Sequence, residues 1–318
     1  MPIMSTPTTQ SNALRPGFKP REVEELIDYY FHRPLASLIV RLLMPLPVTP
    51  NQVTVLSAAT GAVSGMVMSV AIWRSAWWFA AGSGVLLLSV LLDCADGQLA
   101  RMRNQMSPGG RILDGVLDGF AIVSAFHAFA FYLLLAKGYP FFAIWPIGAV
   151  TGWSLLRHTS QYDGVKNLYL HCSRPDFSLG GKTLLNVDDI DVWKRESAEQ
   201  RDWFRVLLMR IWISWTRSQR KTLQAWYGDL SPRTAEERDL YRSMYQGYMR
   251  AWTFLGLGTH MFVLELAALL TPLWPDVLWV AWGIIVGPLN LLYGLVVWQR
   301  GRLERAWRVR LGELRAAS

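Results

Sequence analysis

The chain has 318 residues, of which 52% are hydrophobic and only 18% charged, with 16 tryptophans. A soluble domain carries about 25% charged residues, so this one lacks the polar surface to cover itself in water, which excludes a cytosolic enzyme. Two cysteines, Cys94 and Cys172, exclude a disulfide framework or a Cys-rich zinc site, and a net charge of +8 leaves nucleic acid or anionic lipid to be chosen by where the charge lies.

The first twenty residues, MPIMSTPTTQSNALRPGFKP, hold four prolines and no apolar h-region. Residues 1–21 therefore read as a disordered lead and not a signal peptide. Residues 22–45 have the mixed faces of a helix but too much charge to span, which predicts an amphipathic helix on the membrane surface. A span needs about 20 mostly apolar residues. Six segments qualify, at 52–73, 76–95, 113–136, 140–157, 251–271 and 275–298. The fold class is thus all-α, an integral membrane bundle of six transmembrane helices. Spans one to four lie in 46–157 and five and six in 251–300, and residues 301–318 form a basic C-terminal tail.

With both termini cytoplasmic, thirty Lys and Arg face inward and only Arg74 and Lys137 face outward. That split follows the positive-inside rule and places the chain in the cell (inner) membrane. It also accounts for the net charge through the acidic leaflet, with no nucleic-acid partner.

Residues 158–250 are longer than a loop requires. Phe204, Leu208 and Trp212 recur every four residues, as do Trp203, Leu207 and Ile211, beside Arg201, Arg205, Arg217, Arg220 and Lys221. The pattern fits an interfacial helix or a helical cytosolic subdomain. In the first case it roofs an acceptor pocket or anchors the chain to anionic lipid.

The chemistry concentrates in LLDCADGQLARMRNQMSPGGRILDGVLDGF, residues 91–120. Asp93 and Asp96 are three apart and share a face of the second span; Asp114 and Asp118 are four apart and share a face of the third. Ser107, Pro108, Gly109 and Gly110 predict a turn that folds the pairs together. Asp93 lies 16 residues after Trp77, about 24 Å along a helix, near the cytoplasmic edge of the hydrocarbon. Four clustered carboxylates require cations, and all-oxygen ligation points to Mg²⁺ or Mn²⁺, two ions balancing four charges. Gly97 and Ala100 allow close approach to the backbone, and Arg101 can pair with phosphate. Together these describe a pyrophosphate site.

The run Asp93-x2-Asp96-Gly97-x2-Ala100-Arg101-x8-Gly110-x3-Asp114-x3-Asp118 resembles the full signature of the CDP-alcohol phosphotransferases. Upstream, Pro50-Asn51-x2-Thr54 is similar to the element that opens that family's first span. The resemblance covers about 22–157 and 251–300. It implies that Asp93, Asp96, Asp114 and Asp118 bind the metals, that Asp118 is also the catalytic base, and that Gly97, Arg101 and Ser107 hold the CDP group with Asn51 and Thr54 near the nucleotide. It further implies a homodimer, a CDP-linked lipid donor and an alcohol acceptor, which the 158–250 insertion leaves open between inositol phosphate and other polar alcohols.

Other features carry less. Leu179-Gly180-Gly181-Lys182-Thr183 has Asp176 where a phosphate-binding loop needs Gly. Asp188, Asp189 and Asp191 lack the Gly and Glu of a calcium loop. His127, His260 and Glu265 lie within spans but receive no role, and Gly61 and Gly65 read as close helix packing. Arg157, Lys166 and Arg250 could meet a phosphorylated acceptor, yet ordinary flanking charge explains them. The alternative of a divalent-cation transporter wants carboxylates near the midplane, whereas these gather at one edge.

Overall fold

The computed structural model describes residues 17–106, 108–174, 210 and 230–317, and among them it is all helix, without a strand. The lead through residue 16, Ser107, and the stripe expected around 203–221 (Arg210 apart) lie outside the described residues, as do the two motifs at 179–191. A π-helical turn, Asp28–His32, runs into α1, Arg33–Leu43. Then follow α2 (Pro50–Ser69), α3 (Trp77–Met102), α4 (Pro108–Phe131) and α5 (Phe141–Ser173). After the undescribed stretch come α6 (Ala235–Trp252), α7 (Leu257–Leu270), α8 (Val277–Ile284) and α9 (Asn290–Ala317).

Five stretches are long and apolar enough to cross a membrane: Pro50–Ile72, Trp77–Met102, Leu113–Ala136, Ala235–Leu270 and Val277–Ala317. They mark an integral membrane protein. The helix from Phe141 does not join this group. Pro146 interrupts its apolar part and it runs on without a break through Arg157 and His158 to Ser173, so its polar half dilutes the signal. Exposed Trp73, Trp77, Phe142 and Trp274 ring one end of the bundle, where Tyr139 also donates to Asp276 at 3.1 Å. Aromatic side chains favour such an interfacial belt.

Two helix starts have a clear local cause. Thr49 caps α2 in a reciprocal box with Gln52, and Pro50 supplies the first turn. Thr234 and Glu237 do the same for α6. Near the end of the bundle, Pro288 sits in a π-turn, Ile285–Leu289, and the Asn290 amide donates to the carbonyls of Ile285 and Val286. Proline removes a donor and widens the turn, so the side chain supplies what the backbone lacks. The basic C-terminal residues continue α9 as helix, and Arg315 pairs with Glu237 of α6 at 2.8 Å.

Helices in lipid gain little from apolar burial, so close packing and interhelical hydrogen bonds hold them together. The crossing of α2 with α3 and α4 has both. A Cβ added at Gly61 would lie 2.6 Å from the Ala121 methyl, and one at Gly65 2.6 Å from the Ser124 Cβ. Ser57 and Ser89 each donate to the other's carbonyl, at 2.9 and 2.8 Å, and Ser124 donates to Gly61 at 2.7 Å. The Gly61/Gly65 pair is therefore a packing seam, as its spacing suggests.

The segment before α1 is tied to α7 by buried charge. Gly256 and Gly258 leave room for the carboxylates of Glu25 and Asp28, which any side chain there would strike. Glu25 accepts from the Thr259 N–H at 3.0 Å in the first turn of α7, where the helix dipole favours an anion. His32 is fully buried and donates through Nδ1 to Asp28 at 2.8 Å and through Nε2 to Glu265 at 3.4 Å. Arg33 pairs with buried Glu24 at 2.8 Å.

Gly65→Ala should lower bundle stability by about 1–3 kcal/mol, the usual cost of overpacking, read as detergent unfolding temperature. A second expectation concerns pH. Burial alone would lower the His32 pKa, but the bonds to Asp28 and Glu265 outweigh it and raise it to about 9. Burial and Asp28 raise Glu25 to about 8. Both groups hold more protons folded than unfolded. His32 thus contributes fully below its ordinary value of 6.5 and loses the contribution as pH rises through about 9, while Glu25 weakens docking between 4.5 and about 8. Hydrogen exchange of residues 28–43, corrected for intrinsic rate, should show protection falling from pH 6.5 to 9.5, and His32→Gln should flatten the fall; equal protection at both pH values would refute this.

Candidate active site

The C-terminal half of α3 and the N-terminal half of α4 build the site. Helical spacing stacks Asp93, Gly97 and Arg101 along α3 with Asp96 one turn from Asp93, and Asp114 and Asp118 on one face of α4. The reversal between the helices differs from the turn predicted at 107–110. Pro108, Gly109 and Gly110 form the first turn of α4, because proline suits that position. The reversal comes earlier: Asn104 has φ 52°, Gln105 N–H donates to Ala100 O at 2.8 Å and Asn104 N–H to Arg101 O at 3.3 Å. This pair of bonds is a Schellman cap with asparagine at the left-handed position.

Across that reversal, one carboxylate oxygen each from Asp93, Asp114 and Asp118 lies within 4.8 Å of the others. Asp96 is outside this trio but beside it, buried at 5% exposure, with Thr54 of α2 nearby. One oxygen of Asp96 and one of Asp114 are buried without a partner. Buried carboxylate oxygens do not go unpaired cheaply. The three converging groups and two orphaned oxygens form an all-oxygen donor set that fits a hard divalent cation such as Mg²⁺ or Mn²⁺.

The remaining site residues lie around this trio. At Gly97 a Cβ would sit 3.4 Å from the Arg101 guanidinium, so the glycine lets that side chain fold back along α3. Arg101 donates through Nε to the Gly17 carbonyl, and its Nη2 is buried without a partner. Thr54 is buried and donates to Pro50 O at 3.1 Å, while Asn51 stands exposed at the N-terminus of α2. Ser107 is outside the described residues. Arg157 donates to Tyr293, Lys166 pairs with Asp163, and Arg250 donates to the carbonyls of Arg21 and Glu24, so each has a protein partner. His127 bonds the Val123 carbonyl, His260 bonds Gly256 O and faces His158, and Glu265 meets His32.

Sequence reasoning missed two cations near the site. Lys19, in the segment that crosses from Gly17 to α1, contributes positive potential at Asp114. Burial and the charge of Arg33 hold its own pKa below the ordinary lysine value. Its neighbourhood is made by contacts distant in sequence, which no local pattern signals. The other is Arg103, whose signal was legible: a turn at 44–48 whose two prolines leave it with fewer donors than acceptors.

Three carboxylates this close repel, so the site is held at a cost in stability. Asp93→Asn should raise the unfolding temperature in EDTA by about 2–4 °C, the shift expected for roughly 1 kcal/mol in a chain of this size. The same variant should lose the stabilisation that Mg²⁺ gives the parent. An unfolding temperature in EDTA that stays level or falls would argue against charge repulsion.

Residues 47–166 match the model of the family described as CDP-alcohol phosphatidyltransferase. The chain is 31% identical over 102 residues to a "Bifunctional IPC transferase and DIPP synthase" of Rubrobacter xylanophilus, covering 31% of this chain and 22% of that protein. It is 30% identical over 133 residues to "Inner membrane protein YnjF" of Escherichia coli, covering 41% of this chain and 56% of that one. The aligned regions thus span about a fifth and about half of these relatives' lengths. The match to the CDP-alcohol phosphatidyltransferase family thus covers less than half of the chain, the part that carries all four aspartates.

Proposed function

We propose that this chain is a membrane phosphotransferase. It moves a phosphoalcohol group, most simply phosphatidyl from CDP-diacylglycerol, to an alcohol acceptor and releases CMP, as a step of phospholipid synthesis. The observation that carries the reading is the convergence of Asp93, Asp114 and Asp118 within 4.8 Å, with Asp96 beside them, inside the segment that matches the family. The name of the Rubrobacter relative, a transferase and synthase, supports the class, and an inositol phosphate or another polar alcohol is the acceptor we favour.

The chain's own residues then have distinct tasks. Asp93, Asp96, Asp114 and Asp118 would hold two divalent ions, Mg²⁺ or Mn²⁺. Once bound, such ions neutralise pyrophosphate charge and stabilise the leaving phosphate. Arg101, with a buried nitrogen still unpaired, binds the CDP phosphates. Gly97 keeps the helix surface open for them, and Asn51, Thr54 and Ser107 border the nucleotide. Asp118 accepts the proton of the acceptor hydroxyl. The hydroxyl oxygen bonds to the phosphorus that bears the alcohol, the bond from that phosphorus to the bridging oxygen breaks, and CMP departs with the bridging oxygen.

In this reading the apolar part of α5 is also a span, the fourth of six in chain order, both termini and the site face the cytoplasm, and the protein works as a homodimer. Residues 22–45 lie at the membrane surface. Residues 158–250 supply the roof of the acceptor pocket, their ends formed by the extensions of α5 and α6.

Purified protein should release CMP from CDP-diacylglycerol when offered a panel of alcohols. EDTA should stop the release and Mg²⁺ or Mn²⁺ restore it. Asp118→Asn should cut turnover by about 100-fold or more, the usual worth of a general base, while donor binding persists. Near-normal CMP release by that variant removes Asp118 from the base role, and release in metal-free buffer removes the ions.

A further inference from the structure

Arg103 is the residue immediately beyond α3, and its side chain leaves the helix sideways. Its Nη2 donates to the carbonyls of Leu43 at 3.0 Å, Met44 at 3.0 Å and Leu46 at 2.9 Å, and its Nη1 donates to Val48 O. One guanidinium thus gathers four carbonyls from the turn that joins α1 to α2.

The turn needs a donor from elsewhere. The last carbonyls of a helix have no intrahelical partner, and here the next residues are Met44-Pro45-Leu46-Pro47-Val48. Both prolines lack an N–H, so the turn has acceptors in excess of donors. A planar cation with five N–H groups can serve several carbonyls at once and also complements the negative end of α1; a lysine offers three N–H groups on one nitrogen and cannot also reach Val48 O as the second guanidinium nitrogen does. The next residue, Thr49, caps α2, which begins Pro50-Asn51 and carries Thr54 one turn on. The far side of the same staple is the end of α3, the helix that carries Asp93, Asp96, Gly97 and Arg101 ahead of Arg103.

We infer that Arg103 is a positioning residue for nucleotide binding: it fixes the N-terminus of α2, with Asn51 and Thr54, against the end of α3, with Asp96, Gly97 and Arg101. The inference rests on the CDP-donor reading above for what the two halves hold. It does not place Arg103 in contact with substrate or with the reacting atoms. Removing it frees one half of the nucleotide site to drift from the other while leaving the carboxylate trio, which belongs to α3 and α4, in place.

The test compares the parent with Arg103→Ala and Arg103→Lys, all as full-length chain in detergent. CMP binding is measured by calorimetry, and KM is measured separately for CDP-diacylglycerol and for the acceptor. Arg103→Ala should weaken CMP binding and raise the donor KM by about tenfold, the scale of a lost charge-assisted hydrogen bond. The acceptor KM should stay within about twofold, and Arg103→Lys should recover part of the CMP affinity. A residue that merely stabilised the fold would lower the unfolding temperature without splitting the two KM values. Unchanged CMP affinity in Arg103→Ala, an equal rise in both KM values, or loss of folded protein in both variants would overturn the inference. A parent that binds CMP but releases none from any CDP donor defeats the proposed reaction instead, and the calorimetric comparison of the variants still decides the role of Arg103.

Discussion

Carboxylates of Asp93, Asp114 and Asp118 within 4.8 Å of one another repel in any medium, and more so at the edge of hydrocarbon than in water. Their approach has to be imposed by helices that cannot part. The imposing contact lies several turns away, where Gly61 and Gly65 of α2 press on Ala121 and Ser124 of α4, and Ser57 and Ser89 exchange hydrogen bonds between α2 and α3. Because α2 grips both α3 and α4, these two helices hold their separation although they touch each other little directly. Side chains of ordinary size along that seam would spread the helices and relieve the repulsion. Small residues where the bundle crosses, and acids where it ends, are thus two parts of one arrangement.

That arrangement explains which parts could be read from the chain alone. Helical period places Asp93 with Asp96 and Asp114 with Asp118 whatever surrounds them, since it depends only on backbone geometry. Apolar length likewise marks five crossing segments, because a bilayer's thickness is a fixed ruler. The segment from Phe141 is less clear for the same reason: its helix does not stop where the apolar residues do, and length and hydropathy then disagree.

Other features are set by partners far along the chain. The docking of His32 on Glu265 joins residues 233 apart, and neither residue's neighbours announce it. The turn between α3 and α4 was misplaced for a subtler reason. Pro108-Gly109-Gly110 has turn composition, but proline is as well suited to the first turn of a helix, and Asn104 could take the left-handed conformation instead. Shifting the reversal upstream gives α4 a full turn before Asp114, so that its two aspartates sit within regular helix and not at a frayed end.

The N-terminal segment shows how charge is used where there is little water. Its acids, Glu24, Glu25 and Asp28, precede its bases, His32 and Arg33, and all five are buried. A surface helix with those residues facing solvent would need no glycines opposite it. Gly256 and Gly258 are there, and they admit the Glu25 and Asp28 carboxylates to the start of α7. On its other side the segment reaches Gly17, whose carbonyl takes the Arg101 Nε–H, and Gln98 of α3 donates to Arg33 O at 3.1 Å. The same segment therefore bridges α7 to the Gln98 and Arg101 side of α3. Buried ion pairs add little net stability over apolar packing, but they demand one geometry, and a segment that borders the candidate site on one side and a distant helix on the other has more use for a fixed position than for extra binding energy.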